Sequence, residues 1–136
     1  MGLSKVVVRY VNGRIAKGFT QDFSPEKDRF HLFADASLSG KSGEVAVREL
    51  KAIFFVRNFE GDSKYQERKK YALDEKPAGR KVEVKFTDGE VLVGASLAFD
   101  RERKGFFLFP ADPGSNNSRV FVIFGAVEAI TQFKPQ

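Results

Sequence analysis

The chain of 136 residues has no cysteine, no tryptophan, one histidine (His31) and one methionine. Without a thiol there is no disulfide and no thiolate metal site, and one imidazole cannot assemble a zinc centre. No apolar run approaches the ~20 residues of a membrane-spanning helix, and Met1 to Tyr10 lacks the apolar core of a secretory signal. The expectation is a soluble, cytoplasmic protein with no membrane partner. An excess of one charge is also missing. The 23 Lys+Arg against 18 Asp+Glu leave a net +5, with both signs interspersed, so a nucleic-acid or other anionic partner is permitted but not demanded. Catalytic signatures are absent too. His31 has no hydroxyl nucleophile at a recognisable spacing, Asp100 and Asp112 are separated by strand-forming residues, and there is no mononucleotide-type Gly-rich loop. The sequence predicts neither an enzyme nor a cofactor or metal.

What is abundant is phenylalanine, fifteen in all, enough to supply most of a core at ~1.5–3 kcal/mol for each buried ring. What organises the chain is a repeat. Sliding the sequence by 76 places aligns Lys5–Phe33 with Lys81–Phe109, and 10 of the 29 positions are identical. The identities are Lys5/Lys81, Val6/Val82, Val8/Val84, Gly13/Gly89, Gly18/Gly94, Phe23/Phe99, Glu26/Glu102, Phe30/Phe106, Leu32/Leu108 and Phe33/Phe109. Such an internal match governs the architecture. A unit of about 60 residues is marginal alone, so the two copies are expected to share an interface.

In each copy an alternating strand leads to a tight hairpin turn, Asn12-Gly13 or Asp88-Gly89. A return strand follows with a glycine inside it, Gly18 or Gly94, where a bend or bulge is expected. The return strand of the first copy is expected over Arg14–Asp22 and the third strands over Arg29–Phe33 and Gly105–Phe109. Further strands are expected over Glu44–Val47, Glu49–Phe59, Arg119–Phe124 and Ala126–Phe133. Leu50-Lys51-Ala52-Ile53 matches Val127-Glu128-Ala129-Ile130 once the frame shifts. Ala52–Val56 is apolar on both faces, which implies burial on both sides. Val7 and Val11 suggest the same for the first strand, so copy one is expected to lie inside. Residues 60–80 are charged and without alternation, an irregular linker or a short helix over 63–75 capped by Ser63. The predicted fold is all-β, with two tandem five-stranded small barrels: residues 1–59, the linker 60–80, and residues 81–136.

Each copy resembles the Sm-like barrel. Val82–Asp100 followed by Phe106–Phe109 is similar to the first Sm motif, and Val122–Gly125 with Val127 and Ile130 to the second. The resemblance implies a small five-stranded barrel, and in the family an RNA pocket built with an Asn in the first motif and an Arg-Gly in the second. Here the Asn position holds Lys104 in copy two and Asp28 in copy one, and the Arg position is Phe124, so those pocket residues are not reproduced. Around Leu50–Val56 and Gly105–Pro110 the chain is also similar to an uncharacterised bacterial domain family found near PilZ domains.

Three clusters are candidate sites. Arg101, Arg103 and Lys104, with Arg68–Lys70, are the densest cations and can track a phosphate backbone; Phe106, Phe107 and Phe109 beside the first of these clusters are similar to the aromatic stacking platforms of single-strand binders. Asn116, Asn117 and Arg119 lie in a turn-rich segment able to present amides and a guanidinium to an anion. Asp35, Ser37 and Gly40 match half of the cyclic di-GMP motif of PilZ domains, whose other half is an arginine pair; Arg9 and Arg14 stand one residue too far apart for it. The bland reading of each is an ordinary loop, turn or solvated surface.

Three functions follow. The first is a non-catalytic binding or adaptor module, with nucleic acid or another protein as partner. The second is a cyclic di-GMP-responsive module, in which Arg9 or Arg14 points at Ser37. The third is a protein-interaction or ring-assembly domain, a homo-oligomer joined through strand edges.

Overall fold

Val6, Val8 and Tyr10 alternate with polar and half-buried neighbours, and in the computed structural model this pattern becomes strand β1 (Ser4–Tyr10), its inward side buried. The structure describes residues 3–60, 79–96, 100, 102–112 and 114–132. The possible helix over 63–75 lies outside them. After β1 come β2 (Ile15–Thr20), β3 (Arg29–Leu32) and β4 (Gly43–Ala46), then a 3-10 turn (Val47–Glu49) and β5 (Leu50–Val56). The second half runs β6 (Arg80–Phe86), β7 (Val91–Ser96), β8 (Gly105–Pro110) and β9 (Asn117–Ile123), a second 3-10 turn (Phe124–Ala126) and β10 (Val127–Gln132). The two short turns take residues that the sequence pattern assigned to strands.

The hairpin glycines do what their position demands. Gly13 and Gly89 sit at φ +93° and +95°, where a side chain would be strained. Gly18 and Gly94 stand opposite Val6 and Val82. A methyl group at Gly18 would lie 2.5 Å from the Phe33 carbonyl oxygen, and one at Gly94 would lie 2.3 Å from that of Phe109. Glycine here lets the third strand of each half cross close to the second.

Hydrogen bonding corrects the expectation of two five-stranded barrels packed together. Eight strands from both halves form one antiparallel sheet in the order β10-β6-β7-β8-β9-β5-β1-β2, and β3-β4 is a separate pair. A single bridge, Phe19 to Phe33, ties β2 to the end of β3. Neither sheet closes on itself. The halves are joined by β5 against β9, with Ala52 opposite Val122 and Ile53 opposite Phe121.

This joint explains the doubly apolar β5. Ile53 and Phe55 enter one core with Val6, Val8, Phe30, Val45 and Leu50, while Ala52 and Phe54 enter the other with Val82, Val84, Phe86 and Leu108. Strand β9 answers in kind: Phe121 and Ile123 face the first half's core, Val120 and Val122 the second's. Each core is therefore built by both halves. Val7 packs against the second core as expected, but Val11 is 61% exposed, because it stands past the end of β1, at the hairpin turn.

Candidate anion-binding cleft between the two halves

The turn before β8 carries Arg103 and Lys104, and the turn before β3 carries Glu26 and Asp28 at nearly the same places of the repeat. The β5–β9 joint brings the two turns together. Lys104 Nζ lies 2.7 Å from Asp28 Oδ1, and Arg103 Nη1 donates to Glu26 Oε1 at 3.0 Å. Beside these pairs lies a cavity of about 210 Å³ lined by Asp28, Arg29, Ala46, Arg48 and Lys104. Arg29 is paired to Glu44 across the β3–β4 hairpin. Arg48, exposed on the first 3-10 turn, makes no ion pair among the described residues. The hydrogen bond from Lys104, backed by its charge and those of Arg29 and Arg48, holds the fully exposed Asp28 carboxyl below the ordinary aspartate range. Three cations and one carboxylate thus converge from both halves on one concave spot. Such a site can receive an anion, because exposed ion pairs are weak and a competing oxyanion displaces the carboxylate at small cost.

Of the residues singled out in the sequence, Arg103 and Lys104 belong to this cleft, and Arg101 lies outside the described residues, as do Arg68–Lys70. Arg119 does not reach it. Its guanidinium stacks on Phe55 and Phe107, 4.4 and 4.7 Å from the ring centres. Those rings, with Phe23 and Phe121, form a cluster at the joint in which Phe23 and Phe107 meet their neighbours edge to face and Phe55 and Phe107 are tilted to each other. Phe107 is thereby an interface residue, Phe106 is core, and Phe109 is 40% exposed. Asn116 is used structurally: its amide nitrogen donates to the Asn58 carbonyl at 2.9 Å, and its Oδ1 accepts from the Asn58 N–H. The Asn117 N–H donates to Ser115 Oγ, and Asn117 pairs with Val56.

The Asp35–Gly40 loop closes on itself. Asp35 Oδ1 accepts from the Ser37 N–H at 3.0 Å and from the Ser37 hydroxyl, and that hydroxyl contacts Ser39 Oγ. The Ser37 hydroxyl is the main reason the Asp35 carboxyl lies below its ordinary value. The arginines have other contacts: Arg9 lies over the Phe54 ring at 5.4 Å and Arg14 over the Tyr10 ring at 4.1 Å.

Three features escaped the sequence reading. Arg48 stands one place beyond Val47, the first-copy match of Phe124, so the second motif of copy one held a cation that inspection of copy two alone could not reveal. Lys51 interrupts an apolar strand, a visible signal. It is 5% exposed, pairs with Asp88 at 2.7 Å and with Glu90, and lies 4.6 Å from the Phe86 ring centre. The Lys51 hydrogen bond lowers the Asp88 pKa. His31 has a partner after all: its Nδ1 is 2.7 Å from Asp22 Oδ2, its N–H donates to Asp22 Oδ1, and the Thr20 hydroxyl donates to the same oxygen. Burial works to raise the Asp22 pKa, and the bonds from His31 and Thr20 outweigh it, leaving it lowered. No group of three or more metal-ligating side chains exists among the described residues, and no helix there is long and apolar enough to cross a membrane.

No curated protein and no solved structure matches this chain. Residues 2–133 match a family of unknown function, DUF6982, and the chain belongs to that family.

Proposed function

We propose that the chain is a non-catalytic binding module made of two Sm-like halves, and that its cleft takes the phosphate backbone of a single-stranded nucleic acid. The carrying observation is the convergence of Arg29, Arg48 and Lys104 on one cavity shared by the halves, with Arg103, next to Lys104 in the chain, paired to Glu26. The Sm-like reading is supported by the strand order. The second half follows β10-β6-β7-β8-β9, and the first follows β5-β1-β2 and then, through the Phe19–Phe33 bridge, β3-β4. In both halves a 3-10 turn joins the last two strands. Lys104 and Asp28, the residues standing where the Sm-like family has its Asn, meet in the cleft. A phosphate that enters exchanges Asp28 for a stronger, doubly accepting partner of Lys104 and gives Arg48 a counter-charge.

The test is fluorescence anisotropy of labelled single-stranded RNA and DNA at ~50 and ~200 mM salt. Binding is expected to weaken with salt, and Arg48→Ala with Lys104→Ala to weaken it further and flatten the salt slope. Arg119→Ala, whose guanidinium is stacked inside the joint, is expected to leave binding unchanged. No binding, or binding indifferent to Arg48 and Lys104, overturns the reading. Cyclic di-GMP is the parallel ligand; saturable binding lost in Arg14→Ala would replace the nucleic-acid reading with the sensor.

A further inference from the structure

We propose that the tip of the first hairpin, Val11 to Ile15 between β1 and β2, docks reversibly on the surface of an anionic lipid bilayer. The tip combines the two features such a surface selects, cations and exposed aliphatic side chains. Residues 1–21 contain Lys5, Arg9, Arg14 and Lys17 and no Asp or Glu. Val11 is 61% exposed and Ile15 49%, two of the four large hydrophobic side chains left exposed among the described residues. Arg9 stands directly opposite Ile15 in the β1–β2 pair, and Lys17 follows on the same face. A bilayer partner of this kind reverses the expectation of none, because a peripheral contact needs no spanning segment.

The repeat supplies the comparison. Along the second hairpin, Arg80–Ser96, the cations Arg80, Lys81 and Lys85 are balanced by Glu83, Asp88 and Glu90. At the turn itself Thr87, Asp88 and Glu90 stand where the first turn has Val11, Asn12 and Arg14. The acidic pair of the second turn has an internal task, holding the buried Lys51. Arg9 is the last of the influences that lower the Asp88 pKa and Lys51 the first, so that carboxylate is committed elsewhere. The first turn has no carboxylate of its own and keeps its charge and its valine outward.

Shape decides between partners. Residues 11–15 are all exposed, and a methyl group on Gly13 would meet nothing within 4 Å. A projecting tip has no walls to enclose a small anion or to grip a peptide or a base, whereas a bilayer surface closes around what enters it. Entry also strands few backbone donors. The N–H groups of Tyr10 and Gly13 donate to the Arg14 and Tyr10 carbonyls, that of Arg14 to Asn12 Oδ1 and that of Val11 to the Glu49 carbonyl, all at 2.9–3.0 Å. Two aliphatic side chains bury less than one acyl anchor, which by itself binds only marginally. The contact therefore depends on anionic lipid and is weakened by salt. It is separate from the anion-binding cleft, whose cations are Arg29, Arg48 and Lys104.

Co-sedimentation of the full chain with vesicles tests this, comparing phosphatidylcholine alone with phosphatidylcholine containing ~30% phosphatidylserine, at ~50 and ~200 mM salt. Binding is expected with the anionic vesicles only, and weaker at the higher salt. Arg14→Glu and Val11→Thr install the residues that the second turn carries, so both suit the hairpin. Arg14→Glu should lower the partition coefficient about tenfold or more, and Val11→Thr about threefold. Lys41→Glu changes the net charge equally, in the loop after β3, whose bridge to the hairpin lies at the far end of β2. It should change the partition coefficient much less. Lys17→Glu takes the place of Arg14→Glu should that variant fail to fold by circular dichroism. Equal binding to neutral and anionic vesicles, or none to either, overturns the proposal. So does binding that Lys41→Glu weakens as much as Arg14→Glu, or that Val11→Thr leaves untouched. Binding of labelled single-stranded RNA that Arg14→Glu abolishes, with no vesicle binding, would make the tip a nucleic-acid contact instead.

Discussion

At the residue scale, the structure rests on a few positions where only one side chain suits. Gly94 is pressed first against backbone and then against the Leu108 side chain: the Phe109 carbonyl oxygen, at 2.3 Å from a methyl group built there, cannot move without breaking the β7–β8 pairing. Gly94→Ala is expected to cost about 2–3 kcal/mol or more, read as a lower midpoint in urea with an unchanged slope. Gly13 has open space around it and is needed only for its positive φ. The carboxylates set the pH response. Asp22, Asp28, Asp35 and Asp88 all have lowered pKa values. A depressed folded-state pKa gives stability that is fully present above the unfolded value and is lost as pH falls through the folded one. Thermal midpoints should therefore be flat near neutrality and fall below ~pH 4. Asp88→Asn, which removes one of the two carboxylates paired with the buried Lys51, should lower the neutral midpoint and make the acid fall shallower. An equally steep fall in Asp88→Asn would remove Asp88 from the explanation. Equivalent residues need not keep equivalent partners. The buried hydroxyl of Ser96 has no hydrogen-bond partner among the described residues, whereas its counterpart Thr20 bonds Asp22. The position matching Asp22 is Ala98.

At the element scale, β5 and β9 are the strands that both halves depend on. Alternation on an ordinary strand sends one face to a core and one to water; on these two, each face meets a different core. Phe121 is 1% exposed, on a strand of the second half, and packs in the core of the first. Phe121→Ala is expected to cost about 3–5 kcal/mol, with hydrogen exchange accelerating in β1 as well as in β9. Faster exchange confined to β8–β10 would mean the halves are held independently. The hairpins were legible in Asn12-Gly13 and Asp88-Gly89, because a glycine takes the one positive φ of each turn without strain. The 3-10 turns were not legible. Val47-Arg48-Glu49 and Phe124-Gly125-Ala126 share no residue, and the sequence marks each only as a break between two strands, at Arg48 and at Gly125. The edge strands β4 and β10 carry Glu44, Thr131 and Gln132 where β9 and β5 carry rings, which limits unguided edge pairing.

At the scale of the whole molecule, cores shared across the joint predict one cooperative unit. Thermal and urea unfolding should give a single transition with coincident probes from both halves; two separated transitions would show that each half holds its own core. The sequence by itself determined the all-β class, the repeat, the hairpin turns and the burial of β5, since each follows from local alternation, backbone sterics or self-similarity. It also held the cations of the cleft, as single residues without a common address. Only the tertiary structure decided that the sheet stays open, and that Lys104 and Arg103 face Asp28 and Glu26. The same is true of Arg119, whose guanidinium lies over Phe55 and Phe107 at the joint. The physical reason is that these outcomes depend on which strand edges pair across about 60 residues of sequence, β5 with β9. Backbone edges are chemically alike in every strand, so their choice of partner is made by the complementary packing of two cores and carries no local sequence signal.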